Sequence, residues 1–318
     1  MALIDKNQAD KSLNLKTIVW GDLTWVDIVQ PTEEAKRYLA DNYHFHPMDL
    51  DDSLSLRQLS KVEEYPQYLF VIFHLPVYDK VTRISTRRQW CAFVGDRYLI
   101  TLRPGALKSL DELFRECELN EEARKEYFSY GSGYLLYQIL DRALDAYFPV
   151  LDKIMSLIDD IEDNVFNEKI EAAEELSVLR RDIITQRRVM FPTRATLVEL
   201  EKKLKRFSKV DLTIYYSDLM DHMNKICETL DESTDIIEVF KDADYLLSNS
   251  RANRGIRSLV IMLAIVLPLI IVFGLYSIYS VVSGGISESS RYVFFVILAI
   301  TLGITGGVLY LLRRGHLI

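Results

Sequence analysis

From Ser258 to Ser287 the chain carries no Asp, Glu, Lys or Arg, and after Ser258 it runs Leu-Val-Ile-Met-Leu-Ala-Ile-Val-Leu-Pro-Leu-Ile-Ile-Val-Phe. A helix that crosses about 30 Å of hydrocarbon at ~1.5 Å per residue needs about 20 apolar residues. The stretch is therefore predicted to span a membrane. A second uncharged run, Tyr292 to Leu312, follows a short polar break and is also long enough to cross. The chain is thus expected to end in a two-helix hairpin.

Basic residues orient that hairpin. Arg251, Arg254 and Arg257 precede the first span and Arg313 and Arg314 follow the second, whereas the connecting loop holds Glu288 and Arg291. The positive-inside rule places both termini in the cytoplasm, with a short loop outside. Met1 to Lys16 is polar and lacks the apolar core of a signal peptide, so the first span is expected to insert from within the chain. Two helices cannot enclose an aqueous path, so any transport function requires several copies around an axis. Gly303 and Gly307, beside Thr301, Thr305 and Gly306, make a small-residue face suited to close helix contact.

The rest of the chain is polar, with a net charge of −8 overall. This argues against a nucleic-acid partner and is compatible with cation binding. Cys91, Cys117 and Cys227 show no paired spacing and are expected to be buried, reduced thiols. Residues 1–130 are predicted to form a cytoplasmic α/β domain. Thr17–Trp20 and Thr24–Ile28 should turn at Gly21-Asp22, Thr32 should cap a helix opened by Pro31-Thr32-Glu33-Glu34, and Tyr68–Val77 and Gln89–Leu102 should be strands turning at Gly95-Asp96.

Residues 131–257 are predicted to be helical. Leu135–Val165 keeps apolar residues at three-four spacing above an acidic face of Asp152, Asp159, Asp160, Glu162 and Asp163, continued by Glu168, Glu171, Glu174 and Glu175. That face is either a solvated helix surface or a weak cation collector. Leu176–Phe207 should be a second helix, interrupted near Phe191-Pro192, with basic Arg180, Arg181, Arg187 and Arg188. From Leu212 a third helix should run unbroken through the stalk into the first span, and residues 258–318 complete the membrane domain.

Several motifs, in order, resemble the CorA family of divalent-cation (magnesium/cobalt) transporters over nearly the whole chain. They are Trp25-Val26-Asp27-Ile28 with Pro31-Thr32-Glu33-Glu34; Phe45-His46-Pro47-Met48 with Asp51-Asp52; and Leu135-Leu136-Tyr137 with Asp141 and Asp145-Ala146-Tyr147. Further along come Arg180-Arg181, Pro192 and Arg194; Asp218-Leu219-Met220-Asp221-His222; Asn253; and Leu267-Pro268-Leu269. The resemblance implies a funnel-shaped homopentamer in the cell membrane that passes Mg²⁺, or Co²⁺ and Ni²⁺, as substrate, with cytoplasmic Mg²⁺ as regulatory ligand and no organic cofactor. On its terms Asp242 and Asn253 are polar pore rings, Leu259 and Leu267 apolar constrictions and Gly274 a narrow backbone ring. Asp242, Asn253, Leu267 and Gly274 also recur near whole numbers of ~3.6-residue turns, so they share one face; Leu259 lies off that stripe. Asp218 matches a regulatory metal position whose partner carboxylate is not assignable; an ordinary solvated stalk charge is the other reading.

One departure stands out. Family members end the first span Gly-x-Tyr-Gly-Met-Asn, and this chain reads Gly274-Leu275-Tyr276-Ser277-Ile278-Tyr279. The ion is therefore left open between Mg²⁺ and another, and a non-transporting sensor or scaffold is a further alternative. Tyr279 hydroxyls could bond a hydrated ion, or the ring could be an interfacial anchor. Enzyme readings find no support: His44 and His46 lack a third ligand, and Gly131-Ser132-Gly133 lacks the strand, helix and Lys of a phosphate loop.

Overall fold

The computed structural model describes residues 14–55, 58–79, 84–166, 172–282 and 288–314. Within these, strands β1 (Leu15–Trp20) and β2 (Leu23–Val29) form the expected hairpin, with Gly21 in the left-handed region at φ 55°. Helices α1 (Glu33–Tyr43) and α2 (Pro47–Leu54) follow. Thr32 caps α1 as anticipated, its hydroxyl accepting from the Ala35 N–H at 3.3 Å. His44 closes α1 in a left-handed conformation, and His46 caps α2 through Nδ1, which accepts from the Met48 N–H at 3.3 Å. Both histidines therefore have capping roles in the turn beside Pro47.

Strands β3 (Lys61–Glu64), β4 (Tyr68–Asp79), β5 (Ile84–Gly95) and β6 (Tyr98–Arg103) complete a six-stranded sheet of order β1-β2-β6-β5-β4-β3. Only the β2–β6 pairing is parallel. At Gly95 a Cβ would lie 2.4 Å from the Tyr98 ring, so a side chain there would have to displace that ring. Alternate residues of the central strands face opposite ways. Val26, Ile28, Phe70, Ile72, Cys91, Phe93, Ile100 and Leu102 pack with Leu39, Phe45 and Leu50 of the α1–α2 layer. The other face buries Trp25 against Phe114 and Phe128, and Phe73 against Trp90. Trp25 and Asp27 of the early motif join a buried network: Trp25 Nε1 donates to Thr101 Oγ1 (3.2 Å), Thr101 Oγ1 to Asp27 (2.7 Å), and Arg103 Nη2 to Asp27 Oδ2 (2.7 Å).

The helical part comprises α3 (Lys108–Leu119), α4 (Glu121–Ser129), α5 (Ser132–Asp145), α6 (Phe148–Phe166), α7 (Ala172–Leu204), α8 (Thr213–Val282) and α9 (Glu288–Arg314). Gly131 sits at φ 99°, where a Cβ would meet the Phe207 carbonyl oxygen at 2.8 Å, so this glycine serves a close backbone approach. The single helix expected over Leu135–Val165 is two helices broken at Ala146-Tyr147. Pro149 has no N–H and its ring would strike the Asp145 carbonyl, and the Tyr147 N–H turns instead to Leu144 O at 2.9 Å. The interruption expected at Phe191-Pro192 does not end α7, which runs through Pro192. Thr193 and Thr196 hydroxyls bond carbonyls one turn back, at 2.9 and 3.0 Å, a pattern that bends helices without ending them.

The continuous helix expected from Leu212 is present as α8, 70 residues long. The chain divides into two compact units, Met1–Lys241 and Asp242–Ile318. In the second, Tyr276 and Phe294 rings meet edge to face at 4.7 Å, and Val272 and Thr305 are buried. Gly303, Gly306 and Gly307 have nothing within 4 Å of a notional Cβ, so their face is not filled within one chain. Among the described residues one helix, α8, is long and apolar enough to cross a membrane; α9 has a shorter apolar part, Phe294–Gly307. Glu288 and Arg291, expected in the loop, belong to α9. The remaining loop residues 283–287, together with Glu168, Glu171 and most of Met1–Lys16, lie outside the described residues. All three cysteines are free and buried, and burial pushes the Cys91 and Cys117 thiols up to about 12.

Candidate metal centre

Helices α5 and α8 each present a pair of polar side chains one turn apart: Asp141 and Asp145 on α5, Asp218 and His222 on α8. Tyr137 and Tyr216 rings, 6.1 Å apart, pack between the helices nearby, and Phe148 meets the His222 ring edge on at 5.5 Å. Ligand atoms of Asp141, Asp218 and His222 all lie within 4.8 Å of one another, and His222 Nδ1 is 3.5 Å from Asp145 Oδ1. Metal–ligand bonds of about 2.0–2.3 Å fit inside such a triangle with little side-chain movement.

The electrostatics agree with the geometry. The Asp141 carboxyl is held above its ordinary value by burial and then by the Asp145 and Asp218 carboxylates, against the opposing pull of His222. Burial, with the Asp141 and Asp218 charges added, also raises the Tyr137 hydroxyl. A cation would relieve this crowding. Two or three carboxylates with one imidazole suit Zn²⁺, Co²⁺ or Ni²⁺, while the oxygens alone suit a Mg²⁺ that keeps several waters.

Of the residues singled out in the sequence, Asp218 lies in this cluster, beside Asp141 and His222 of the same chain. The acidic pair Asp51-Asp52 is engaged elsewhere: Asp51 with Lys36, and Asp52 with Lys61 at 2.6 Å. The acidic face of α6 is exposed, and among the described residues the one convergent ligand group is Asp141, Asp218 and His222. Asp242, Asn253, Leu259, Leu267 and Gly274 all lie on α8 and are exposed in the single chain. At ~100° per residue, Asp242, Asn253, Leu267 and Gly274 fall within roughly 40° of one line, and Leu259 is displaced by roughly 100° from Asp242. Ser277, Ile278 and Tyr279 are exposed on the same helix, which continues past them to Val282.

The family described as CorA-like Mg²⁺ transporter protein matches residues 20–314. The chain belongs to the CorA family. This makes it a CorA-family divalent metal ion transporter, and the sequence resemblance is borne out. Among the relatives, the protein named as metal ion transporter YfjQ of Bacillus subtilis is 26% identical over 282 residues, covering 86% of this chain and 85% of its own. The cobalt/magnesium transport protein CorA of Thermotoga maritima is 25% identical over 256 residues (80% and 72%). The zinc transport protein ZntB of Pectobacterium atrosepticum is 23% identical over 223 residues (70% and 65%). The CorA fold is seen directly in the complete structure of the CorA magnesium transporter from Methanocaldococcus jannaschii, which superposes with a TM-score of 0.73 over 93% of this chain and 92% of that one at 19% identity.

Proposed function

We propose that the protein is a homopentameric channel in the cell membrane that passes Mg²⁺ inward and is closed by cytoplasmic divalent cation bound at Asp141, Asp218 and His222. One observation carries the reading: a single helix, α8, bears Asp218 and His222 of the convergent cluster in its first turns and, further on, one face with Asp242 and Asn253 ahead of the uncharged run that begins at Ser258 and Leu267 and Gly274 within it. Copies of α8 around an axis would present Asp242 and Asn253 as rings that hydrogen-bond a hydrated cation. Leu259 and Leu267 would form constrictions that gate by dewetting, and Gly274 a narrow backbone ring. α9 is the second span, with both termini in the cytoplasm. Inward flow needs no ATP, since the membrane potential supplies about 2.3 kcal/mol per charge per 100 mV.

A second ion is favoured by a specific observation. Ser277-Ile278-Tyr279 replaces the family's Gly-Met-Asn, a relative is named for zinc, and His222 adds a nitrogen ligand to the centre. Zn²⁺ is accordingly the alternative cargo. Ion flux into liposomes holding the purified protein, at fixed potential, separates the two. Mg²⁺ uptake that Co²⁺ or Ni²⁺ competes for supports the first reading, Zn²⁺ uptake without Mg²⁺ uptake supports the second, and no uptake of any divalent ion refutes both. Light scattering in detergent that gives a dimer would overturn the pentamer.

A further inference from the structure

A groove of about 430 Å³ opens along α7, lined at three-four spacing by Leu176, Arg180, Arg181, Ile184 and Arg188 and on one side by Lys241 of α8. None of its lining residues is acidic. Asp182, the carboxylate next to Arg181, is turned inward instead, accepting from the Ser85 N–H at 2.5 Å and from Gln186 Nε2 at 2.8 Å. The neighbouring Arg187, outside the groove, is paired with Asp231 at 2.5 Å. Among the described residues no ion pair engages Arg180, Arg181, Arg188 or Lys241. Three guanidinium groups and an ammonium gathered on one groove repel each other, and in a chain of net charge −8 such a concentration is not a by-product of composition.

We propose that this groove binds a phosphate-bearing polyanion, the chemistry shared by a free nucleoside polyphosphate and a polyphosphorylated lipid headgroup. Guanidinium forks bond phosphate oxygens in pairs, Lys241 adds a point charge, and Leu176 and Ile184 offer an apolar floor for the non-phosphate part. The volume falls in the range of about 300–1,000 Å³ typical of small-molecule sites. Lys241 immediately precedes Asp242, so the bound anion acts on the helix that carries the proposed pore face. Binding itself does not depend on which ion that pore passes.

The test uses the full-length protein in metal-free buffer. Inorganic tripolyphosphate is titrated calorimetrically into the protein in detergent. In parallel, thermal stability is compared in phosphatidylcholine nanodiscs with and without phosphatidylinositol bisphosphate. Saturable tripolyphosphate binding that weakens about tenfold in Arg181→Gln and in Arg188→Gln, and is unchanged in the remote exposed Lys108→Gln, supports a soluble anion. Stabilisation by the phosphoinositide alone, lost in the same two variants, supports the headgroup. No response to either probe, or a response indifferent to both arginine variants, overturns the proposal. Loss of the oligomer in those variants with no anion binding in the wild type would show a subunit contact instead and equally overturn it.

Discussion

His222 Nδ1 lies 3.5 Å from Asp145 Oδ1, across the contact between α8 and α5. The same imidazole closes a triangle with Asp141 and Asp218, so the centre draws on two helices far apart in sequence. If a divalent cation binds there, it should raise the melting temperature of the full-length protein in detergent. Asp218→Asn should abolish that rise, and His222→Ala should reduce it far more for Zn²⁺ and Co²⁺ than for Mg²⁺. An equal loss for all three ions would show that His222 is not a ligand.

Acid should weaken the same response. Asp141 is held above its ordinary value chiefly by burial and then by neighbouring carboxylates, so without metal it takes up a proton at a higher pH than an isolated Asp does. A cation must displace that proton. Its apparent affinity is therefore expected to fall as pH drops through the raised value, and Asp141→Asn should flatten the dependence. Melting temperatures over a pH series with fixed cation check this.

A separate pH effect is expected at Asp49. Burial lifts this carboxyl to about 6, against the hydroxyl bonds from Tyr68 (2.8 Å) and Tyr65 (3.0 Å), and Glu63 adds to the rise. Because the folded value exceeds the unfolded one of about 3.9, its contribution to stability is fully present below pH ~4 and is lost as pH rises through about 6. The melting temperature of Asp49→Asn relative to wild type should therefore climb from pH 4 to pH 7. A constant difference would remove the assignment.

The Asp27–Arg103 pair should be costly to break from one side. Both side chains are buried, and Arg103 also reaches Asp111 at 2.5 Å. Arg103→Met leaves an uncompensated carboxylate and should destabilise the protein by about 3–5 kcal/mol. A double variant, Asp27→Leu with Arg103→Met, should recover part of that loss. Thermal unfolding of both variants measures the difference.

For the proposed pore, Asp242→Ala and Asn253→Ala should each lower divalent-cation flux about tenfold or more, by removing polar rings that replace ion–water hydrogen bonds. Tyr279→Asn should move selectivity toward Mg²⁺. Liposome flux of Mg²⁺ and Zn²⁺ reads both, and wild-type rates in the Asp242 and Asn253 variants would take them out of the pore.

Sequence alone determined the features that depend on local pattern. The absence of charge from Ser258 to Ser287, the Gly21-Asp22 hairpin, the Thr32 cap and the unbroken run of α8 follow from hydropathy, turn chemistry and the lack of a breaker, all of which act over a few residues. The order of motifs was enough for the family. At Pro149 and Pro192 the local pattern does not decide the outcome, because whether a proline breaks or only bends a helix depends on where its freed carbonyl goes. Asp141, His222 and Asp218 were each visible inside a motif, but nothing in their separation along the chain puts them in one site. That arrangement comes from the packing of Tyr137, Tyr216 and Phe148 between α5, α6 and α8, which places side chains on different helices within a few ångströms. Likewise the engagement of Asp51 and Asp52 by Lys36 and Lys61, and the uncompensated charge of the α7 groove, exist only in three dimensions, since an ion pair is set by distance through space and sequence records only distance along the chain.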